Sequence, residues 1–323
     1  MPLKVYVVYR NSASEIDEVR ELLTAHEMKE VTEPCSADFV LAIGDDRSVL
    51  DAVQLVGEKD VPILGASVGS SGYLTSVSLE DLGAALSVVE RGEYEVATYT
   101  KLKGVIDGST SLYALNEIAV FPSRSAALMR YELSIDGERI WSDRADGVLV
   151  STPLGSTAYA LSAGGVIVFE NAPILEVVPV NSVDASKRPL VIPDTSKVEL
   201  SGISSRYPCE AIADGGTRVK VKDRVEIYKS ETPVKIMKVY SRPSVRETLR
   251  DIVEEASDMP PSAKFVLKML EIKGSMSVRE LVEATRLPER TVRYAISELV
   301  KRGFVRKVVN LRDARQFYYE AIA

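Results

Sequence analysis

The chain has 323 residues, 46% hydrophobic and 27% charged, with no excess of Gly or Pro, the composition of a globular protein of two or three domains. No apolar run approaches the ~20 residues that span a bilayer. Cys35 and Cys209 lie too far apart for a disulfide framework or a metal-ligand spacing, and the single histidine, His26, argues against a histidine triad or zinc site. Charge is unevenly divided. Residues 262–323 hold 13 Lys and Arg against 7 Asp and Glu, a balance of +6, whereas residues 1–261 hold 27 against 40, a balance of −13. A basic tail on an acidic body points to two parts with different partners, one of them a polyanion, although a basic face also serves simply as solvated surface. The opening MPLKVYVVYRNSAS reads as strand and turn rather than a signal peptide. A cytoplasmic protein with reduced thiols and no bound metal is the expectation.

The first ~90 residues alternate strand-like and helix-like segments, the pattern of an α/β layer. A strand is expected at 4–9, a helix at 15–26, a second strand at 38–43 running into Gly44-Asp45-Asp46-Arg47-Ser48, and a helix at 49–56. A third strand at 61–65 leads into the small-residue stretch 67–72, and a helix at 79–90 closes the unit. From 97 to 239, short runs rich in Val, Ile, Tyr and Thr recur between turn signals such as Asp107-Gly108, Asp136-Gly137 and Asp214-Gly215. That is an all-β texture, interrupted only at 157–162 by a segment that can begin a short helix. After Pro243 the pattern turns helical. Ser244 to Glu247 is a capping box opening a connector with an apolar stripe at Val245, Leu249, Ile252, Val253 and Ala256, ending near Pro260-Pro261.

The last segment places a helix at 262–273, with Phe265, Val266, Met269 and Leu270 on one face. A second capping box, Ser277 to Glu280, opens a helix through Thr285, and Pro288 starts a third that runs from 289 to 302. That third helix turns Val292, Ile296, Leu299 and Val300 inward and Arg290, Arg293, Tyr294, Ser297 and Lys301 outward. Strands at 304–309 and 316–320 follow, with Arg306, Lys307, Arg312 and Arg315 along a wing. This order, with the stretch TVRYAISELVKRGFV, resembles the winged-helix family. The resemblance implies a recognition helix in the major groove of double-stranded DNA and a wing against its backbone. A winged helix used for protein contact is the alternative.

The most specific motif is DGVLVSTPLGSTAYALSAGG, Asp146 to Gly165. A Gly-, Ser-, Thr- and Ala-rich loop between strands exposes backbone donors and acceptors beside a tyrosine face, suited to a base and a ribose; a tight turn is the plainer reading. The stretch is similar, nearly letter for letter, to the signature of NAD kinases. Gly65 to Thr75, Leu115-Asn116-Glu117, Arg188 to Val191 and Asp214-Gly215 follow in family order. The resemblance implies, over residues ~1–240, a Rossmann-like α/β domain plus an all-β sandwich with a dinucleotide bound where they meet. The expected division is 1–96 for the α/β domain, 97–240 for the sandwich, 241–261 for the connector helix and 262–323 for the winged helix.

By that resemblance Asn116 and Glu117 hold ribose hydroxyls. Asp146 and Thr157-Ala158-Tyr159 contact the nicotinamide and adenine ends, Ser162 lies on the adenine side, and Tyr73 replaces a phenylalanine near the adenine. Ser67, Leu154 and Val166 are mild departures. The family's GGDGT loop is the serious one, reading here Gly44 to Ser48. Its central Asp, matched by Asp46, acts in the family on the 2′-hydroxyl that receives the phosphoryl group, and its glycines let backbone N–H groups approach the donor phosphates. Both glycines flanking Asp46 are replaced. Asp45 adds a carboxylate where triphosphate belongs, a like-charge contact costing about 4 kcal/mol at roughly 4 Å and an effective dielectric of about 20. Arg47 lies close to the 2′ position, suited to the extra phosphate of NADP. The expectation is an NAD- or NADP-binding transcription regulator, a homodimer or homotetramer. An active NAD kinase using Mg²⁺ with ATP or polyphosphate, and Asp46 as its catalytic residue, is the alternative. A purely structural module would bind neither dinucleotide nor DNA.

Overall fold

The computed structural model describes residues 2–10, 13–69, 72–239, 260–273, 276–285, 287–301, 304–309 and 317–321. The connector at 244–256, Arg312 and Arg315 lie outside the described residues. The chain divides into two compact units, Met1–Ser241 and Arg242–Ala323.

The first unit begins with three parallel strands, Lys4–Tyr9, Phe39–Gly44 and Ile63–Ser67, whose near-continuous apolar runs suit a sheet covered on both faces. Helix α1 (Ala13–Ala25) sets Val19 and Leu23 against one face, together with Leu82, Ala85, Leu86 and Val89 from further along the chain. Helix α2 (Asp46–Val56) sets Val49, Ala52, Val53 and Val56 against the other. Helix α3 (Leu82–Glu90) completes the first of these layers. Short parallel strands at Lys29–Glu30 and Val77–Ser78 extend the sheet. Two further strands come from the ends of the all-β stretch: Val234–Lys238 pairs parallel with Ile63–Ser67, and Glu95–Tyr99 pairs antiparallel with Val234–Lys238. The seven-stranded sheet therefore takes strands from both sides of residue 97. Chain order and spatial grouping part company there because pairing partners as remote as Ile63 and Ile236 leave no periodic trace in sequence.

Two six-stranded antiparallel sheets form the sandwich. One contains Leu102–Ile106, Thr110–Ala114, Met129–Ile135, Glu138–Ala145, Val198–Ser205 and Val225–Lys229. The other contains Glu117–Pro122, Gly147–Ser151, Ile174–Val180, Leu190–Pro193, Cys209–Ala213 and Thr217–Val221. Alternate residues meet in one core, with Ile118, Val150 and Val177 of the second sheet facing Met129, Tyr131 and Leu200 of the first. On its other side the second sheet buries Ala119, Leu149 and Val178 beneath Ala160 of the four-residue helix α4 (Tyr159–Ser162). A 3₁₀ turn, Leu154–Thr157, precedes it in the segment expected to begin a short helix.

The second unit holds α5 (Pro261–Lys273), α6 (Val278–Thr285) and α7 (Glu289–Lys301), with a three-stranded sheet of Met276–Ser277, Val305–Val309 and Phe317–Ala321. The capping box is formed: Glu280 Oε2 accepts from the Ser277 N–H at 2.7 Å, and the Glu280 N–H donates to Ser277 Oγ at 3.3 Å. Val266, Leu270, Leu281, Val292, Ala295, Ile296 and Leu299 build the core. Two residues expected inside are not. Phe265 is 45% exposed and Val300 40% exposed, while their chain neighbours Val266 and Leu299 take the inward positions.

Candidate functional site

Helix α2 begins at Asp46, three residues earlier than its apolar periodicity indicates, because Asp45 caps it. The Asp45 carboxylate accepts from the Arg47 N–H at 3.1 Å, its carbonyl accepts from Ser48 N–H at 3.0 Å, and Ser48 Oγ donates to that carbonyl at 2.6 Å. Orphan N–H groups at a helix start bind anions. Here the chain's own carboxylate satisfies one of them and places a negative charge over the rest. Gly44, with φ of +141°, makes the turn into the helix, and a Cβ there would lie 2.9 Å from the Arg10 carbonyl oxygen.

Asp46, in the first turn, does not stand free. Its Oδ2 accepts from Tyr73 N–H at 2.8 Å, and its Oδ1 from Leu74 N–H at 2.9 Å and Thr75 N–H at 3.2 Å. About four acceptor positions exist on a carboxylate, so three are committed to one loop. Gly72 permits this approach, since a Cβ there would fall 2.0 Å from Asp46 Oδ1. The same loop reaches the sandwich through Tyr73, whose hydroxyl donates to Glu170 Oε2 at 3.1 Å. Burial, with the Glu170 charge, pushes that phenol well above its ordinary range.

A second carboxylate organises the opposite wall. Asp214, held at φ of +49° before Gly215, accepts from the backbone N–H groups of Leu115 (2.8 Å), Asn116 (2.8 Å) and Glu117 (3.1 Å). The motif loop is locked to the same segment. Thr152 N–H donates to the Asn116 carbonyl at 2.8 Å, Thr152 Oγ1 donates to the Leu115 carbonyl at 2.6 Å, and a Cβ on Gly155 would sit 2.2 Å from Asn116 O. Only glycine fits there.

Glu117 is 6% exposed, and its Oε2 is buried with no hydrogen-bond partner among the described residues. Burial, reinforced by the Asp214 charge, pushes its carboxyl up to about 8. Burial also raises Asp214, to about 6, against the pull of its three backbone donors. A buried acid with an unpaired oxygen is a polar group suited to a ligand's donor. Glu117, Ser151 and Glu176 stand in one cross-strand row on the face beneath α4. Glu176 is fully buried, its Oε1 accepting from Val166 N–H at 2.8 Å and its Oε2 without a hydrogen-bond partner among the described residues, so it ties down the end of the motif loop.

Tyr159 is 43% exposed and rests against Phe121 with ring centroids 6.0 Å apart, which leaves an aromatic face open to solvent. Thr157 and Ser162 are exposed on either side of it, and Ala158 is half-buried. Asp146 accepts from Asn181 Nδ2 at 2.9 Å. Arg47 is exposed and lines a small cleft with Arg10, Asp51, Tyr113 and Asp214, in which Arg10 pairs with Asp51 at 2.9 Å. Hydrogen bonds thus join Asp46 to the Tyr73 loop, and Asp214 joins Asn116 to Glu117. Asp214, Glu170 and Glu176 were not among the expected contacts. A lone acid inside the apolar run ILEVVPV is the sequence signal that finds Glu176; Glu170 has none.

In the second unit α7 exposes Arg290, Arg293, Tyr294, Ser297 and Lys301 together. Arg293 is paired with Glu289, one turn back, at 2.7 Å, so its charge is partly matched within the helix. Arg306 and Lys307 lie on the strand Val305–Val309, where Lys307 is exposed.

Comparison with known proteins agrees with this architecture. Residues 8–94 match the ATP-NAD kinase N-terminal domain, residues 115–239 the ATP-NAD kinase C-terminal domain, and residues 257–316 the MarR family. The NAD kinase of Methanopyrus kandleri is 38% identical over 193 residues, 60% of this chain and 70% of that protein. The NAD kinase of Methanothermobacter thermautotrophicus is 34% identical over 240 residues, 74% of this chain and 84% of that protein. An NAD kinase from Archaeoglobus fulgidus, crystallised with ATP, superposes with a TM-score of 0.61 at 28% identity, over 72% of this chain and 93% of that one. Yeast NADH kinase, solved with NADH, shares the fold with a TM-score of 0.65 at 20% identity, over 80% of this chain and 88% of that one. Matches to both NAD kinase domains, and relatives matched over most of their length, place this chain in the NAD kinase family, with a MarR-family winged helix at its C-terminal end.

Proposed function

We propose that this chain is a DNA-binding regulator whose NAD kinase-like body holds NAD or NADP as an effector. The observation that carries this reading is the Asp45 cap: the helix start assigned to donor phosphates by family resemblance already carries the chain's own carboxylate. The acceptor side is built for a ligand. Asn116 and the unused oxygen of Glu117 receive ribose hydroxyls, and the protonated Glu117 carboxyl both donates and accepts at neutral pH. Tyr159 offers its open face to a ring, Asp146, Thr157 and Ala158 border it, and Ser162 and Tyr73 take the adenine side. Arg47 receives the extra phosphate of NADP. In the second unit, Arg290, Arg293, Tyr294, Ser297 and Lys301 enter the major groove of double-stranded DNA, and Arg306, Lys307, Arg312 and Arg315 follow the backbone. The protein acts as a homodimer or homotetramer, since helix-turn-helix proteins read paired half-sites.

Calorimetric titration with NAD, NADP and their reduced forms tests the body. Binding of at least one supports the reading; no heat and no thermal stabilisation with any of the four contradicts it. Replacing Arg47 by Ala should lower affinity for NADP more than for NAD, and an unchanged ratio removes Arg47 from that role.

A second reading, an active NAD kinase, is favoured by the retention of Asp46 in the first turn of α2 and by relatives named as NAD kinases. In it ATP or polyphosphate with Mg²⁺ supplies the phosphoryl group. Asp46 then exchanges a backbone N–H of the Tyr73 loop for the acceptor hydroxyl. Turnover with NAD, Mg²⁺ and ATP or polyphosphate, abolished by Asp46→Asn, decides for this reading.

A further inference from the structure

The first sandwich sheet carries, on the face turned away from the core, a groove of about 590 Å³. Arg130 and Arg144 stand on its floor, directly opposite each other on the antiparallel strands Met129–Ile135 and Glu138–Ala145. Both are exposed, while their sequence neighbours Met129, Tyr131 and Ala145 point into the core. Directly opposed side chains have Cβ atoms about 4.5–5.5 Å apart, and like charges in that relation destabilise a sheet. Arginine pairs of this kind are normally relieved by a carboxylate.

The acids that line the groove are committed elsewhere. Glu132 Oε1 accepts from Arg139 Nη2 at 2.9 Å and from Ser142 Oγ at 3.1 Å. Asp143 accepts from Tyr131 OH at 3.1 Å, Ser182 Oγ at 2.7 Å and the Arg144 backbone N–H at 2.7 Å. Asp184 accepts from Ser186 N–H at 3.0 Å and pairs with Lys187 at 3.5 Å. Neither guanidinium has a side-chain partner among the described residues. The next strand adds Ser204, opposite Arg130, and a bulge at Gly202, whose φ is +59° and whose missing side chain leaves the pit open.

We infer that Arg130 and Arg144 form an anion site for a phosphate or diphosphate group of a small molecule on the outer sheet face. Two guanidinium forks side by side match the two oxygen edges of such a group through charge-assisted, bidentate bonds, and Ser204 Oγ supplies a neutral donor beside them. The bound dianion cancels the cross-strand repulsion, so the site is stabilised by its ligand. In a body with a net balance of −13, an uncompensated pair of cations is a local reversal of field that selects small anions at close range. The inference holds whether the body is a sensor or an enzyme.

The full chain is titrated by calorimetry with inorganic pyrophosphate, and separately with ADP, each in the presence of saturating NADP. Saturable pyrophosphate binding under these conditions supports the site. Arg130→Gln and Arg144→Gln should each weaken it about tenfold or more, the scale of one lost charge-assisted contact, and change NADP affinity less than about twofold. ADP binding more tightly than pyrophosphate assigns the phosphate to a nucleotide, and equal affinity assigns it to the phosphate alone. Melting temperatures make the test independent of folding defects: without anion the double Gln variant melts at or above the wild type, and with pyrophosphate the order reverses. The inference is overturned if the wild type binds no pyrophosphate, if the double variant binds it equally well, or if NADP displaces it completely.

Discussion

Asp46 spends three hydrogen bonds on a loop 27 to 29 residues away in sequence, and that makes Gly72 as important as the acid itself. Gly72→Ala drives a Cβ to 2.0 Å from Asp46 Oδ1. It should cost about 1–3 kcal/mol, the range for forced overpacking, and weaken dinucleotide binding. Denaturant unfolding and calorimetry on the variant check this, and unchanged stability contradicts the packing described. The converse substitution concerns the donor end. Asp45→Gly combined with Arg47→Gly restores the two flanking glycines. Loss of an Asp cap to Gly costs only a few tenths of a kcal/mol, and Gly at Arg47 in the first turn of α2 adds up to about 1 kcal/mol, so stability should fall only slightly while ATP affinity rises. ATP binding unchanged from wild type shows that the cap is not what excludes the donor.

Glu117 gives a pH dependence whose sign is fixed. Its folded carboxyl titrates at about 8, above its unfolded value near 4.3, so the folded state holds the extra proton between those limits. Stability is then fully present below the unfolded value and is lost as pH rises through the folded one. Asp214, raised to about 6, contributes in the same direction over a lower window. Glu117→Gln should flatten the decline between pH 6 and 8 and lessen it between about 4 and 6, where Asp214 still contributes. Urea unfolding across that range measures it, and a slope equal to wild type contradicts the burial assigned to Glu117.

At the scale of elements, the winged helix depends on its caps. Ser277→Ala removes one half of the capping box and should destabilise the second unit by about 1 kcal/mol, with the first unit unaffected; a thermal melt in which only the earlier or later transition shifts reads this out. The caps were legible in sequence, as were the strands at 4–9 and 305–309 and the helices α5 to α7, because each is written in residues close together. Other features were not. The return of Val234–Lys238 to the first sheet, the lock between Asp46 and the Tyr73 loop, and the Tyr73–Glu170 bond join segments remote in sequence. Amphipathic spacing says which side of an element is buried, but not which element covers it. Phe265 and Val300 show the local limit of the same signal, since each sits at the border of an apolar stripe whose inward positions fall to Val266 and Leu299.

For the whole molecule, an effector bound in the first unit acts on DNA only by binding two states of the protein unequally, and the coupling is reciprocal. The charge, −13 over residues 1–261 and +6 over residues 262–323, agrees with the proposal of a different class of partner for each part. Arg290→Ala should weaken DNA binding and leave dinucleotide affinity in the absence of DNA unchanged. Equal DNA affinity for the variant and wild type removes α7 as the reading helix. The most direct measurement of the central claim is a fluorescence-anisotropy titration of the full chain onto an operator fragment selected from random duplexes, with and without saturating NAD, NADP, NADH or NADPH at fixed salt. Regulation by a dinucleotide predicts that at least one of the four shifts the DNA affinity by about 5- to 150-fold, and that the operator shifts that dinucleotide's affinity by the same factor. DNA affinity identical under all five conditions, together with steady phosphorylation of NAD in the presence of Mg²⁺ and ATP, contradicts it and makes the body an enzyme.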